Sequence, residues 1–220
     1  MAPIVFAYWK IRGLAQSIRL LLGYTKTDFE DKHYECGEAP TFDRSCWYNV
    51  KETLGFDFPN LPYLIDGDVK ITQSNAIHRY IARKNGMVGE TDEERLQIDI
   101  LENQLMDFRN DFVMMLYFTP PDLYENKRQE YIKRNKIFLG RLSKYLGDKT
   151  FFVGKKLTFV DFIIYELLDQ HKLFEISMFE DCQNLLDFVS RFENIPEIME
   201  FMSSEKFFKG PINNKDALFK

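Results

Sequence analysis

Residues 60–74 read NLPYLIDGDVKITQS, and this stretch decides the fold of the first part of the chain. Two short strand-like segments flank its Asp-Gly pair at 66–67, a pair typical of a tight β-hairpin turn. Pro62 starts the first segment, and a proline there belongs at a sheet edge or in a special turn because it donates no ladder hydrogen bond. A cis peptide bond is one such turn, and it would expose the backbone N–H and C=O of Leu61 to an extended peptide.

The second segment of the hairpin leads into Gln73 and Ser74, which begin a helical pattern that ends near Lys84. The unpaired N–H groups at the start of a helix bind anions. Together with the exposed backbone of Leu61, this helix start predicts a pocket for a small, peptide-like acid.

The residues upstream of the hairpin predict a parallel pair of strands. Ile4 to Trp9 is an apolar run suited to a buried strand, and Gly13 separates it from apolar residues at helical spacing. A second strand is predicted at 33–35, joined to the first by that helix. Residues 38–55 then form a long polar loop, a length that usually has a function. The order βαβ, loop, ββα is that of a thioredoxin-like sheet.

The chain beyond Glu90 shows only helical patterns. A long helix is predicted from 90 to 117, opened by the capping-box spacing of Thr91 and Glu94. A second capping box, Thr158 with Asp161, opens a later helix. Further helices are predicted at 125–146, 162–171, 185–192 and 196–202, and residues 210–220 are expected to lie across the surface. We therefore predict an α/β domain over residues 1–88 followed by an all-α helical bundle over residues 89–220.

Composition argues against several classes of function. The chain of 220 residues has a formal charge of −5, which gives no support for nucleic-acid binding through a general field. No apolar run reaches the ~18 residues that cross a bilayer, and the first residues lack the pattern of a secretory signal. Three cysteines without a CxxC pair favour a reducing, cytoplasmic location, and we expect no metal site.

Several runs over the whole chain carry a resemblance to the mu class of cytosolic glutathione S-transferases. These runs are YWKIRGLA at 8–15, APTFDRSCW at 39–47, DFPNLPYLIDG at 57–67, ITQSNAI at 71–77, ILENQ at 100–104 and TFVDF at 158–162. The polar segment 38–55 resembles the loop that is particular to this class. The resemblance implies an N-terminal thioredoxin-like domain, a helical C-terminal domain, and conjugation of reduced glutathione to hydrophobic electrophiles in detoxification.

The resemblance assigns the chemistry to Tyr8. An ordinary thiol has a pKa of about 8.5, and ionising it at neutral pH requires a shift of about two pKa units, or ~2.7 kcal/mol. One hydrogen bond to a charged group contributes about 1.5–3 kcal/mol, so the Tyr8 hydroxyl nearly suffices as the donor to the glutathione thiolate. The start of the first helix, at 11–14, holds no cysteine that would act instead, and Ser17 fits a helix-face residue better than a thiolate donor.

The resemblance also assigns the binding of glutathione, which it implies as a co-substrate and not as a permanently bound cofactor. Gln73 and Ser74 match residues that hold the γ-glutamyl carboxylate, and Leu61 the one that pairs by its backbone with the cysteinyl unit. The full set of matching positions is Trp9, Arg44, Trp47, Lys51, Asn60, Leu61, Pro62, Gln73, Ser74 and, reaching in from a neighbouring subunit, Asp107. Without the family pattern, Arg44 and Lys51 fit solvated loop charges equally well, and Asp107 a helix-face charge.

The resemblance also implies a site for the electrophile, built mainly from apolar side chains, and a twofold dimer. Those that match the wall of the electrophile site are Trp9, Ile11, Leu14, Met106, Val113 and Tyr117, and Tyr117 also carries a hydroxyl for developing charge. Phe58 and Arg79 match positions at a homodimer interface. His78, at a position that is usually apolar, and Ala7 depart from the family pattern without removing a catalytic group.

A second class of function stays open on the same fold, a non-catalytic carrier of apolar ligands. Peroxidase or isomerase activity is a third possibility. The presence of Tyr8, the 38–55 loop and the Gln73-Ser74 pair favours the transferase.

Overall fold

The computed structural model of the protein describes residues 3–220. Its internal contacts divide it into two compact units. The first unit runs to Asn85 and includes Glu197–Leu218, and the second comprises Gly86–Pro196 with Phe219. The domain boundary predicted near residue 88 assigns residues 197–218 to the helical domain. In the structure, the contacts of these residues group them with the first unit.

A four-stranded sheet forms the centre of the first unit. Its strands are β1 (Ile4–Trp9), β2 (Phe29–Tyr34), β3 (Tyr63–Asp66) and β4 (Val69–Thr72), in the order β2-β1-β3-β4. β1 and β2 are parallel, while β3 is antiparallel to both β1 and β4. This mixed sheet confirms the predicted thioredoxin-like βαβ-ββα arrangement.

The helices of the first unit follow the sequence pattern closely. α1 (Gln16–Tyr24) connects the parallel strands, and α3 (Ser74–Lys84) follows β4 and packs against α1. The predicted loop contains a short helix α2 (Ser45–Tyr48) and a 3-10 turn at Lys51–Thr53. Gly67 has φ +59 in the hairpin turn, as an Asp-Gly turn requires.

Two predictions for the first unit need correction. The second strand begins at Phe29 and not near residue 33, because β2 is an edge strand whose exposed Glu30 and Lys32 interrupt the apolar pattern. The segment 210–220 does not simply lie across the surface, since Ile212 and Ala217 are buried.

The second unit contains the long helices and, among the described residues, no strand. They are α4 (Asp92–Phe118), α5 (Tyr124–Leu146), α6 (Phe159–Phe174) and α7 (Gln183–Glu193), and α8 (Pro196–Met202) follows at the return to the first unit. Short 3-10 turns lie at Pro121–Leu123 and Ile176–Phe179. This arrangement confirms the predicted helical C-terminal part. None of the helices between residues 3 and 220 has the length and apolar character to span a membrane.

The two capping boxes differ in the structure. At the start of α6, Asp161 accepts from the N–H and the hydroxyl of Thr158, at 2.9 Å each, and from the N–H of Phe152 at 2.9 Å. At the start of α4, Thr91 accepts from the N–H of Glu94, but the Glu94 carboxylate returns to residue 90 instead. The second box therefore forms as predicted, and the first is only half formed.

Asp161→Asn tests the buried cap. Burial raises the pKa of Asp161 to about 6, because it outweighs the hydrogen bonds that lower this pKa. An amide presents an N–H₂ group to a backbone N–H where the carboxylate presented an acceptor, so we expect a loss of about 2 kcal/mol in the free energy of unfolding. Urea denaturation measures this, with the exposed Asp148→Asn as the control. Equal stability of both variants would contradict the expectation.

Candidate active site

Tyr8 lies near the C-terminal end of β1 and packs on the turn that leads to α1. Its side chain is 5 % exposed. Gly13 has φ +42, and a Cβ placed there would lie 2.7 Å from Tyr8 Cε1, 2.9 Å from its Oη and 3.2 Å from Ile11 Cδ1. The structure thus brings the predicted catalytic residue and one predicted electrophile contact together around a glycine that has no space for a side chain, with the half-buried Leu14 next to it along the chain.

Backbone carbonyls of residues 211 and 212 and the guanidinium of Arg19 hold this turn in place. The N–H of Arg12 donates to the carbonyl of Pro211 at 2.8 Å, and the N–H of Gly13 donates to Ile212 at 3.0 Å. From α1, the buried Arg19 donates to the carbonyl of Ile11 at 2.9 Å. The residues beside Tyr8 are therefore fixed by the C-terminal part of the first unit as well as by the following helix.

Arg19 is itself fixed by an ion pair inside the unit. Its Nε lies 2.7 Å from Asp31 on β2, and its guanidinium carbon is 4.8 Å from the Phe208 ring centre. Burial raises the pKa of Asp31, but the hydrogen bond from His33 and the charge of Arg19 outweigh it and lower that pKa. Because both partners are largely buried, removing one would leave an unpaired charge, which is far more costly than losing a surface pair.

The sheet register places the three predicted glutathione segments at one edge. Ala7 pairs with Tyr63, and Tyr63 pairs with Thr72. Carried one residue further, the register sets Pro62 opposite Tyr8 and leaves Gln73 at the same edge. The end of β1, the turn before β3 and the start of α3 therefore converge.

The segment before β3 has the predicted backbone form with one difference. The Leu61-Pro62 peptide bond is cis. The N–H of Leu61 donates to the side chain of Asn60 at 2.9 Å. That N–H, expected to be available to a peptide, is thus already paired within the chain.

The start of α3 has an uncommon backbone. Gln73 precedes the helix with φ +74, a left-handed conformation that few residues other than glycine adopt. Ser74 is the first helical residue and is buried. Strained backbone of this kind is concentrated at ligand-binding sites, and here it lies directly before the first turn of α3, at the edge that Tyr8 and Pro62 share.

Aromatic packing ties the 38–55 loop to the sheet. Trp47 is 4 % exposed, stacks on Tyr63 with ring centres 6.1 Å apart, and meets Tyr34 edge-on at 5.2 Å. The hydroxyl oxygens of Tyr34 and Tyr63 lie 3.1 Å apart, and burial raises the pKa of Tyr63. Trp9 meets Tyr34 edge-on at 6.4 Å. Trp47 therefore anchors the loop in addition to any contact with a ligand.

The charged residues of the loop are already engaged. Arg44 Nη2 lies 2.6 Å from Asp216, and Glu38 pairs with Lys215, so the loop is bound to the C-terminal segment. Lys51 pairs loosely with Glu52, N to O 3.4 Å, and retains 31 % side-chain exposure. The resemblance implies that Lys51 and Arg44 of this loop bind the glycyl carboxylate of glutathione, and Lys51 has the weaker ion pair within the chain.

The remaining predicted residues lie apart from this edge in the chain. Met106, Val113 and Tyr117 recur at helical spacing on one half-buried face of α4. Asp107 is exposed and borders a cleft of ≈ 360 Å³ between α4 and α5, which Arg134 and Phe138 also line. In the first unit, Phe58 is 78 % exposed, and Arg79 is half-buried on α3.

Sequence reasoning missed the supports of the site. Arg19, Asp31 and Asp216 gave no signal because their partners are 12 or more residues away along the chain. Gly13 was assigned only the role of ending a strand, although a glycine five residues after a candidate catalytic tyrosine is consistent with close packing of the ring on backbone.

Gly13→Ala is expected to remove most of the activity that the family resemblance implies. The new methyl group would overlap the Tyr8 ring and hydroxyl, and displacement of a reacting group by about 1 Å costs on the order of 100-fold in kcat/KM. The rate of glutathione conjugation measures the effect. Gly140→Ala on α5 is the matched control, since a Cβ there meets no atom within 4 Å. A fully active, folded Gly13→Ala enzyme would show that Tyr8 is not fixed by this contact.

Comparison with known proteins finds relatives that match both units of the chain. Residues 4–83 match the family model "Glutathione S-transferase, N-terminal domain", and residues 106–205 match "Glutathione S-transferase, C-terminal domain". The chain is 51% identical over 214 residues to Glutathione S-transferase Mu 5 of Mus musculus, covering 97% of this chain and 94% of that one. It is 50% identical to Glutathione S-transferase Mu 3 of Homo sapiens, covering 98% and 95%.

A solved structure gives the same result. The crystal structure of the glutathione S-transferase Blo t 8 superposes with a TM-score of 0.88 at 34% identity, covering 97% of this chain and 98% of that chain. Together with the mu-class relatives, the two family models and the thioredoxin-like sheet, this likeness extends over almost the full length of the chain. The chain therefore belongs to the glutathione S-transferase family and is a glutathione transferase of the mu class.

Proposed function

We propose that Tyr8 ionises the thiol of glutathione, and that the thiolate then attacks the electrophilic carbon of a hydrophobic substrate. With a chloronitroaromatic, the thiol proton leaves to water, a C–S bond forms, and the C–Cl bond breaks to release chloride. The observation that carries the proposal is the fixed position of Tyr8 on the Gly13 turn, at the sheet edge that also carries Pro62 and Ser74. Its hydroxyl stabilises the thiolate by donating a hydrogen bond.

The peptide of glutathione would lie along this edge. Its γ-glutamyl carboxylate binds at Gln73 and Ser74, where the helix N-terminus adds a favourable dipole. The carbonyl of Leu61 would accept a hydrogen bond from the cysteinyl N–H of glutathione. The N–H of Leu61 would leave the side chain of Asn60 and donate to the cysteinyl carbonyl instead. This exchange replaces one hydrogen bond with another of similar strength, so it opposes binding only weakly.

The glycyl carboxylate would bind beside the 38–55 loop. Lys51 would supply the positive charge, because its ion pair with Glu52 is loose, and the Trp47 side chain would border the carboxylate. Arg44 contributes only through the N–H groups that Asp216 does not hold. Asp107 would reach the γ-glutamyl amine in the neighbouring subunit of a homodimer, in which Phe58 and Arg79 lie at the interface. Such an enzyme is expected in the cytoplasm, with no permanently bound cofactor.

The family resemblance assigns the electrophile to apolar side chains. In the first unit these are Trp9, Ile11 and Leu14. In the second unit they are the residues of the α4 face, Met106, Val113 and Tyr117. The Tyr117 hydroxyl would donate to charge that develops on the departing or accepting group.

Tyr8→Phe is the decisive test of the catalytic role. Without the donor, the thiol pKa returns towards about 8.5, so kcat near pH 7 should fall about 25-fold while glutathione still binds. The rise of kcat with pH should move up by about two pH units, and the difference from wild type should narrow in alkaline solution. Stopped-flow turnover of a chloronitroaromatic measures both effects.

The control is Tyr48→Phe, which changes a 58 % exposed tyrosine of the loop and should leave the profile unchanged. A Tyr8→Phe enzyme with wild-type kcat and pH profile would contradict the assignment. Wild-type protein that binds glutathione and apolar ligands, yet turns over no electrophile, would instead support the carrier.

Phe58→Ala tests the homodimer. The family resemblance assigns Phe58 to the interface, and its 78 % exposure leaves the ring available to a partner subunit. Removing an aromatic anchor from an interface should weaken association by at least about tenfold. Sedimentation over a dilution series measures the dissociation constant. Phe118→Ala, at 70 % exposure, is the matched control. Unchanged association in Phe58→Ala with weakened association in Phe118→Ala would place the interface elsewhere.

A further inference from the structure

A chain of hydrogen bonds between buried side chains lies behind the start of α3. His78 is buried, and its Nδ1 is 2.8 Å from the carbonyl oxygen of Ser74, one turn earlier on the same helix. Its Nε2 is 3.0 Å from Oγ of Ser17, which is buried on α1. The two helices are therefore joined by a polar contact in the interior of the first unit.

The direction of each hydrogen bond follows from the chemistry of the partners. A carbonyl oxygen only accepts, so Nδ1 of His78 carries the proton that it donates to Ser74. Burial lowers the pKa of His78 to about 4, so the ring is neutral near pH 7. Nε2 of the neutral ring has a lone pair and accepts the hydroxyl proton of Ser17. The chain therefore runs from Ser17 through His78 to Ser74 with one arrangement of protons.

The residue at the end of this chain is part of the carboxylate site. The Ser74 carbonyl accepts the N–H of residue 78 as any helical carbonyl does, and the imidazole adds a second hydrogen bond anchored on a different helix. The first turn of a helix frays readily, and here it follows Gln73 at φ +74. A second bond to Ser74 restrains the turn whose N–H groups receive the carboxylate.

We infer that His78 and Ser17 are positioning residues for the γ-glutamyl carboxylate of glutathione, acting through Ser74, an inference that rests on the proposed glutathione site. Tyr8 lies on a separate element and does not contact this chain of bonds in any hydrogen bond that the structure shows. Loss of the chain should therefore weaken the binding of glutathione and leave the ionisation of its sulfur unchanged.

A second buried histidine supplies a matched control. His171 on α6 bonds through Nδ1 to the carbonyl of Leu167, at 2.6 Å, and its Nε2 is 2.7 Å from the Tyr131 hydroxyl on α5. The geometry is the same, a bond to the carbonyl four residues earlier and one to a hydroxyl on another helix. It belongs to the second unit and does not end at the start of a helix.

The experiment compares His78→Leu, Ser17→Ala, their double variant and His171→Leu in the full-length protein. We expect His78→Leu to raise KM for glutathione about tenfold, with kcat at saturation, KM for the chloronitroaromatic and the pH profile of kcat unchanged. Ser17→Ala should show part of the same effect and add nothing in the His78→Leu background. His78→Gln, which offers both a donor and an acceptor, should restore part of the affinity.

The outcomes separate a positioning role from a structural one. His171→Leu should lower the melting temperature without a change in KM for glutathione. If His78→Leu behaves in the same way, or if the Ser17 and His78 effects add, the inference is overturned. Ser74→Ala distinguishes failure of the site itself. If that variant binds glutathione as wild type does, the proposed carboxylate site is wrong. If it binds weakly while His78→Leu does not, only the positioning role fails.

Discussion

The antiparallel register between β1, β3 and β4 is the constraint on which the site depends. Because Ala7 pairs with Tyr63 and Tyr63 with Thr72, the end of β1 lies at the same edge of the sheet as the turn before β3 and the start of α3. A shift of one residue in either pairing would turn every side chain of the strand to the opposite face. The buried β1 residues, with Phe6 and Ala7 fully enclosed, make such a shift costly. Apolar packing in the sheet thus fixes where a polar ligand can bind.

Local sequence determined the elements of this arrangement well. The Asp-Gly turn, the run from Ile4 to Trp9 and the Thr158–Asp161 box are short-range patterns, and the structure has each of them. β2 was placed four residues late because an edge strand carries charges on its exposed face and loses the apolar signal. Thr91 and Glu94 have the correct spacing, yet the Glu94 carboxylate has a competing backbone donor at residue 90. Spacing alone does not decide between two donors.

The supports of the site were beyond prediction for a different reason. The pairs Arg19–Asp31 and Arg44–Asp216 depend on which surfaces meet after folding, and no local pattern encodes a partner 172 residues away. The family resemblance predicted Tyr8 and Ser74 as site residues, but it did not predict the contacts that hold them in place. His78 was visible only as a departure from the family pattern, and its meaning required the hydroxyl of Ser17 on another helix.

The hydrogen bonds from Arg12 and Gly13 to residues 211 and 212 have a consequence for synthesis. More than 100 residues, including the whole helical unit, separate the two halves of this contact. On the ribosome, the strands and the tyrosine emerge first, but the turn beneath the tyrosine lacks its partners until residues 211 and 212 have been made. The nascent protein is thus expected to complete the proposed thiolate site only after these two residues have been added, and chains released before that point should lack activity.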